Sequence, residues 1–224
     1  MNTSELHYFL IRHIIEHGFA PELEIIATHF KVGQNDAIAA LKELQEIHGV
    51  VLHPHAPKVW VIHPFSLAPT NFFLQSERQK WWSNCAWCSL GAAALINEDL
   101  TIQTTLGSED EILKISVKDG KIEDDPVVHF PIPMKNAWDN VIYTCSTMLF
   151  FRNKQQVDEW CTQHQMPKGD VQPISKIWPF ARKWYGNHLD PEWRKWSVEE
   201  AKSIFKEFEL THPVWQMEGT AERF

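Results

Sequence analysis

Within the first 63 residues the spacing of apolar side chains switches from a helical period to a strand period. That switch constrains the fold more than any other feature of the chain. Leu6, Phe9, Leu10, Ile14 and Ile15 recur at helical spacing over residues 3–17, and Gly18 ends the run. A second helix is predicted after Pro21, in PELEIIATHF. A third is predicted from about Asn35 to Ile47, with Ile38, Leu41 and Leu44 on one face and Gly49 beyond its end. The next stretch, VVLHPHAPKVWVIHP, reads as two short β runs around a Pro-containing loop.

Three helices and a hairpin in this order resemble the winged helix-turn-helix pattern, which raises the question of DNA binding. The charges oppose it. Residues 1–63 carry four basic residues (Arg12, Lys31, Lys42, Lys58) against seven acidic ones (Glu5, Glu16, Glu22, Glu24, Asp36, Glu43, Glu46), a net −3 with His neutral. A phosphate-binding helix needs clustered Lys or Arg to displace counterions, and the third helix offers only Lys42. The unit is therefore read as structural. The net charge of the whole chain, −8, likewise argues against nucleic acid or an anionic membrane as the main partner. Eight of the twelve His fall in this unit; the pairs His13/His17 and His53/His55 are read as solvated surface residues rather than ligands. No apolar run reaches the roughly 18 residues that a membrane span requires. MNTSELHYFL lacks the basic n-region and apolar stretch of a secretory signal, so a cytoplasmic protein is expected.

Residues 64–80 are predicted to link this unit to a second domain, 81–224, by packing aromatics against it. A buried helix is predicted to begin near Trp81–Asn84 and to run through WCSLGAAALIN. ILKISV and KIE flank Asp119-Gly120 as a hairpin; VVHFPIP and VIYTCSTMLFF are further strand candidates, the second apolar on both faces. NKQQVDEWCTQHQ reads as a helix, and Ser197-Val-Glu-Glu200 is a capping box that opens a last amphipathic helix. The expected class is α+β: a winged-helix-like three-helix domain followed by a mixed α/β domain with short, mainly antiparallel strands.

Four cysteines carry the chemistry: Cys85, Cys88, Cys145 and Cys161. In a reducing compartment they stay thiols, free to bind metals or act as nucleophiles. Cys85 and Cys88 form a C-x-x-C at a helix start, where the helix dipole should lower both pKa values and where a spacing of three turns both sulfurs to one side. Cys145 is predicted on a strand nearly sixty residues later. Should that strand pack on the helix, three sulfurs converge, a set that suits Hg(II), As(III) or another thiophile better than tetrahedral structural zinc. A dithiol redox site and inert core cysteines are the competing readings of the same spacing. Cys161 is read as structural.

Ala86-Trp87-Cys88-Ser89-Leu90 resembles the Ala-Trp-Cys-Ala-Leu-Asp motif of the alkylmercury lyase family. The segment from Cys145 through Phe150-Phe151 to Glu159-Trp160 and His164-Gln165 is similar to the second cysteine segment of that family, and Pro64-Phe65-Ser66 with Pro69-Thr70 to its connecting segment. The resemblance spans roughly residues 5–190. It implies protonolysis of a carbon–mercury bond, with Cys88 and Cys145 as the mercury-binding thiols, no required cofactor, and Hg(II) or a similar soft metal as substrate or product. A small organometallic or thiophilic ligand is the implied partner. In the family an Asp follows the first Cys by three residues; here that position is Gly91, so the usual proton-handling carboxylate is missing. Cys85 is the candidate to replace it, as third ligand or proton donor, ahead of Ser89; Glu98 and Asp99 are read as solvated.

Three readings stay open. The chain can be a carbon–metal lyase, a non-catalytic Hg/As-type binding or sensing protein, or an enzyme on the same scaffold with an unrelated organic substrate. His129 in VVHFP and the C-terminal Trp178, Trp184, Trp193, Trp196 and Trp215 are candidates to wall the site, with core packing the alternative for each.

Overall fold

A computed structural model describes residues 1–218 and has an α+β fold. The N-terminal third matches the predicted elements closely. Helix α1 (Thr3–His17) starts at a capping box between Asn2 and Glu5 and stops at Gly18, whose φ of +80° suits a residue without Cβ. Helices α2 (Leu23–Phe30) and α3 (Gln34–Glu46) follow. Leu6, Leu10, Ile11 and Ile14 of α1 pack on Ala37, Leu41 and Leu44 of α3 and are fully buried. Each such side chain contributes roughly 1.5–3 kcal/mol of hydrophobic stabilisation.

Strands β1 (Val51–Leu52) and β2 (Val59–Ile62) form the expected hairpin and continue into a larger sheet. Strands β3 (Phe65–Ser66), β4 (Phe72–Ser76) and β5 (Lys80–Ser83) come next. Helix α4 (Ala86–Ile96) is followed by β6 (Leu100–Thr105), β7 (Ile112–Lys118) and β8 (Lys121–Ile122). The strands form one antiparallel sheet in the order β1-β2-β3-β5-β4-β6-β7-β8. It runs without interruption across positions 63 and 80, where the sequence suggests divisions. The remaining elements are β9 (Val127–Phe130), α5 (Val141–Thr147), β10 (Phe150–Phe151), α6 (Lys154–His164), β11 (Asp170–Pro173), α7 (Ile174–Tyr185) and α8 (Val198–Glu207). Strands β10, β9 and β11 make a second small antiparallel sheet.

Two expectations need correction. Trp81–Ser83 is strand, not the start of a helix; it pairs with β3 and β4, and α4 begins only at Ala86. VIYTCST is the helix α5, not a strand. The Asn140 side chain accepts the N–H of Tyr143 and caps it, and only Phe150–Phe151 of that apolar run joins a sheet. Tertiary context overrides the β preference of Val, Ile and Thr here.

Helix α4 is apolar on all sides and buried along nearly its whole length, with α7 on one flank and β3, β4 and β5 on the other. Residues 78–81 hold the end of α1 against this layer. The Trp81 indole N–H donates to the carbonyl of Ile14, Arg78 to that of Glu16, and the Gln79 amide to that of His17. The Ile14 carbonyl also accepts the Gly18 N–H at 2.8 Å, and the last carbonyls of the helix, Glu16 and His17, take their donors from residues 78 and 79. Among the described residues no helix is long and apolar enough to cross a membrane.

Candidate functional site

The site is assembled where the start of α4 meets the end of α5. Cys85 precedes α4 as its N-cap: its backbone is extended (φ −156°, ψ 177°) and its sulfur accepts the Cys88 N–H at 3.2 Å. The C-x-x-C therefore does not lie on one helical face as expected; it wraps a helix start. Cys88 sits in the first turn. The Ala86 N–H donates to the carbonyl of Met148, the residue that ends α5, at 3.0 Å, and the Cys85 sulfur lies 3.9 Å from the Met148 sulfur. This backbone tie brings Cys145 of α5 over Cys88 of α4.

One nitrogen of His63 and the sulfurs of Cys88 and Cys145 all lie within 4.8 Å of one another. His63, just past β2, has its Nε2 3.5 Å from the Cys145 sulfur. Two metal–thiolate bonds of about 2.3 Å span up to about 4.6 Å, so one soft ion can bridge the two sulfurs with little movement. Cys85 is a near neighbour that perturbs the ionisation of both other thiols.

The three thiols titrate very differently. Burial pushes Cys85 well above the ordinary thiol range, so the helix start does not acidify it as expected. Burial also works against Cys88. Hydrogen bonds from Cys145, Cys85 and the Tyr185 hydroxyl outweigh it and bring Cys88 well below that range. Cys145 is held well above it, because it donates to Cys85 and Cys88 and is buried as well. The arrangement is one thiolate facing two thiols, a nucleophile beside two proton sources. Burial also lowers the pKa of His63, which leaves its ring neutral near pH 7 with a lone pair for a metal.

Tyr185, the last residue of α7, closes the other side of Cys88, with its hydroxyl 3.3 Å from the Cys88 sulfur. Its ring packs on Gly91: a Cβ built at Gly91 would lie 2.1 Å from Cδ2 of Tyr185. No side chain fits at position 91 unless the tyrosine moves. Burial and the neighbouring Cys88 raise the pKa of the phenol well above its usual value, so it keeps its proton.

Beyond the thiols the pocket wall is apolar and aromatic, with Met134, Trp138, Trp184, Trp193 and Trp196 among its lining residues. Lys195 also lines it, its ammonium 3.7 Å from the centre of the Trp138 ring, and burial pushes its pKa down to about 7.

A family model described as "MerB: Alkylmercury lyase" matches residues 65–186, more than half of the chain. The chain belongs to the alkylmercury lyase family. Among solved structures it is similar to the crystal structure of the mercury-bound form of MerB2, with a TM-score of 0.65 and 16% identity over 84% of this chain and 97% of that one. At that identity the likeness speaks for the fold alone. Among curated proteins, none matches.

The family match covers Cys85, Cys88, Cys145, Gly91 and Tyr185, while His63 and Lys195 lie outside it. Sequence reading singled out the cysteines and Gly91 but missed His63, Tyr185, Met148 and Lys195. His63 was one of eight histidines in its segment, and only its position before Pro64-Phe65-Ser66 set it apart. Nothing in the spacing marks Tyr185, which reaches Cys88 from 97 residues away. Of the C-terminal tryptophans, Trp184, Trp193 and Trp196 line the pocket, whereas Trp215 is core and bonds Asp170. His129 and Cys161 belong elsewhere: the histidine bonds the Lys168 carbonyl at 2.8 Å, and the Cys161 sulfur lies 3.7 Å from it.

Proposed function

We propose that this chain captures an organomercurial between Cys88 and Cys145 and cleaves its carbon–mercury bond by protonolysis, with no cofactor. The observation that carries the reading is geometric: the sulfurs of Cys88 and Cys145 and one nitrogen of His63, from three separate elements, lie within 4.8 Å of one another, where a single soft ion can join them. The Cys88 thiolate displaces the labile ligand X of R–Hg–X. Cys145 joins the metal and gives up its proton. The carbon takes a proton together with the electron pair of the breaking C–Hg bond. The products are R–H, X⁻ and Hg(II) held by two thiolates; mercury keeps its oxidation state throughout. A second thiolate on the metal raises electron density on the carbon, which makes the carbon easier to protonate. His63 is placed to be a third ligand, and Cys85 a reserve thiol. The tryptophans and methionine of the pocket wall offer the organic group an apolar surface. A reducing, cytoplasmic setting keeps the thiols available.

The test is a single-turnover reaction of reduced protein with phenylmercury, with benzene measured in the headspace. Benzene above a thiol-only control is expected, and its loss in Cys88→Ser and Cys145→Ser. Stoichiometric mercury uptake without benzene would replace this reading with that of a binding or sensing protein. That alternative draws on one observation, the absence of any Asp or Glu among the described residues lining the pocket.

A further inference from the structure

Protonolysis requires an acid at the carbon, and a carbon bonded to mercury on Cys88 sits within a few ångströms of the Cys88 sulfur. Four groups lie close to that sulfur: the thiols of Cys85 and Cys145, the imidazole of His63 and the phenol of Tyr185. His63 has its Nε2 3.5 Å from the Cys145 sulfur and a ring nitrogen within 4.8 Å of both ligand sulfurs, so its nearer role is as a ligand. The Cys145 thiol has a proton to lose, but its sulfur is drawn onto the metal as that proton leaves. Cys85 is turned back on the helix start, where its sulfur accepts the Cys88 N–H and points at Met148. The phenol of Tyr185 remains. It is buried, it contacts the Cys88 sulfur, and its ring is seated where a side chain at position 91 would be.

We propose that Tyr185 is the catalytic acid that hands the proton to the carbon, and that Gly91 is glycine because the tyrosine ring needs its space. The inference rests on the lyase reading above. In the step, the phenol O–H bond breaks and its proton forms the new C–H bond with the electron pair of the C–Hg bond. The phenolate is refilled by the proton that Cys145 releases as its sulfur binds mercury. Nothing is oxidised, and the sum is the reaction already written. The phenol serves as a relay that lets the Cys145 proton reach the carbon while the Cys145 sulfur is engaged elsewhere. The contact of 3.3 Å between the phenol oxygen and the Cys88 sulfur puts the O–H beside the carbon of a mercurial bound there.

Tyr185→Phe removes the hydroxyl and keeps the ring over Gly91. Phenylmercury and Hg(II) should bind it with wild-type stoichiometry and its melting temperature should hold, while single-turnover benzene release falls by about 100-fold or more. Gly91→Ala is the complementary variant. It keeps the hydroxyl but pushes the ring off its seat, and should slow benzene release without abolishing mercury uptake. Wild-type benzene release from Tyr185→Phe overturns the assignment, as does a loss of Hg(II) binding in step with the loss of rate, which would make Tyr185 a packing residue. Should Tyr185→Phe not fold, an unchanged rate in Gly91→Ala overturns it instead. If the wild type itself releases no benzene, the lyase reading fails and this inference with it; a wild type that releases benzene beside an equally active Phe variant sinks the inference alone.

Discussion

A thiol removed from water is normally harder to ionise, and Cys85 follows that rule; Cys88, three residues on, does not. The difference lies in the partners each sulfur has. At Cys85 the Cys88 N–H and the Cys145 thiol do not make up for burial, whereas Cys88 draws on two thiols and a phenol. A group whose native pKa is depressed is ionised over a pH range in which the same thiol in an unfolded chain is still protonated. The thiolate absorbance of the native protein, read as the difference from Cys88→Ser, should therefore appear at a pH below the roughly 8.5 of a free thiol. Cys145→Ala removes a donor and should move that transition upward. At this scale the sequence was informative about identity and silent about partnership. It marked Cys88 and Cys145 through their motifs, but the tyrosine that completes the set comes from the end of a distant helix.

Elements were legible where periodicity and caps agreed. The helices α1, α3, α6 and α8 each have a side-chain cap, a capping box or an apolar stripe that can be read in the residues. The errors fell where an element is short and apolar. Val141–Thr147 has the composition of a strand, yet it folds as two turns of helix because Asn140 caps it and its end is pinned by the Ala86–Met148 hydrogen bond. That helix carries Cys145, so its cap helps to position a thiol. Asn140→Ala should cost about 1 kcal/mol, which for a chain of this size lowers the melting temperature by about 2–4 °C. A thermal melt followed by circular dichroism checks it; an unchanged Tm would mean that the backbone tie alone holds α5. Trp81–Ser83 was misread because its neighbour α4 is apolar on every face and blurs the boundary between strand and helix.

At the scale of the whole molecule, the pocket draws on nearly the full length of the chain. His48 and His63 come from the N-terminal part, the thiols from the middle, and Trp193 and Lys195 from near the end. The α+β class and the mainly antiparallel pairing were legible from the order of periodic segments; the continuous sheet was not, because strands of two or four residues carry little signal of their own. Contacts between distant segments hold the parts in register. His7 of α1 is fully buried and stacks on Trp193 at 3.6 Å, and residues 78–81 grip the end of the same helix. The central claim is that this assembly presents two thiols, one from α4 and one from α5, to a single mercury ion. Crystals of the protein loaded with one equivalent of Hg(II) test it through the anomalous difference map. One strong peak bonded to both the Cys88 and Cys145 sulfurs is expected, whereas mercury bound to Cys161, or to only one of the pair, would contradict the account.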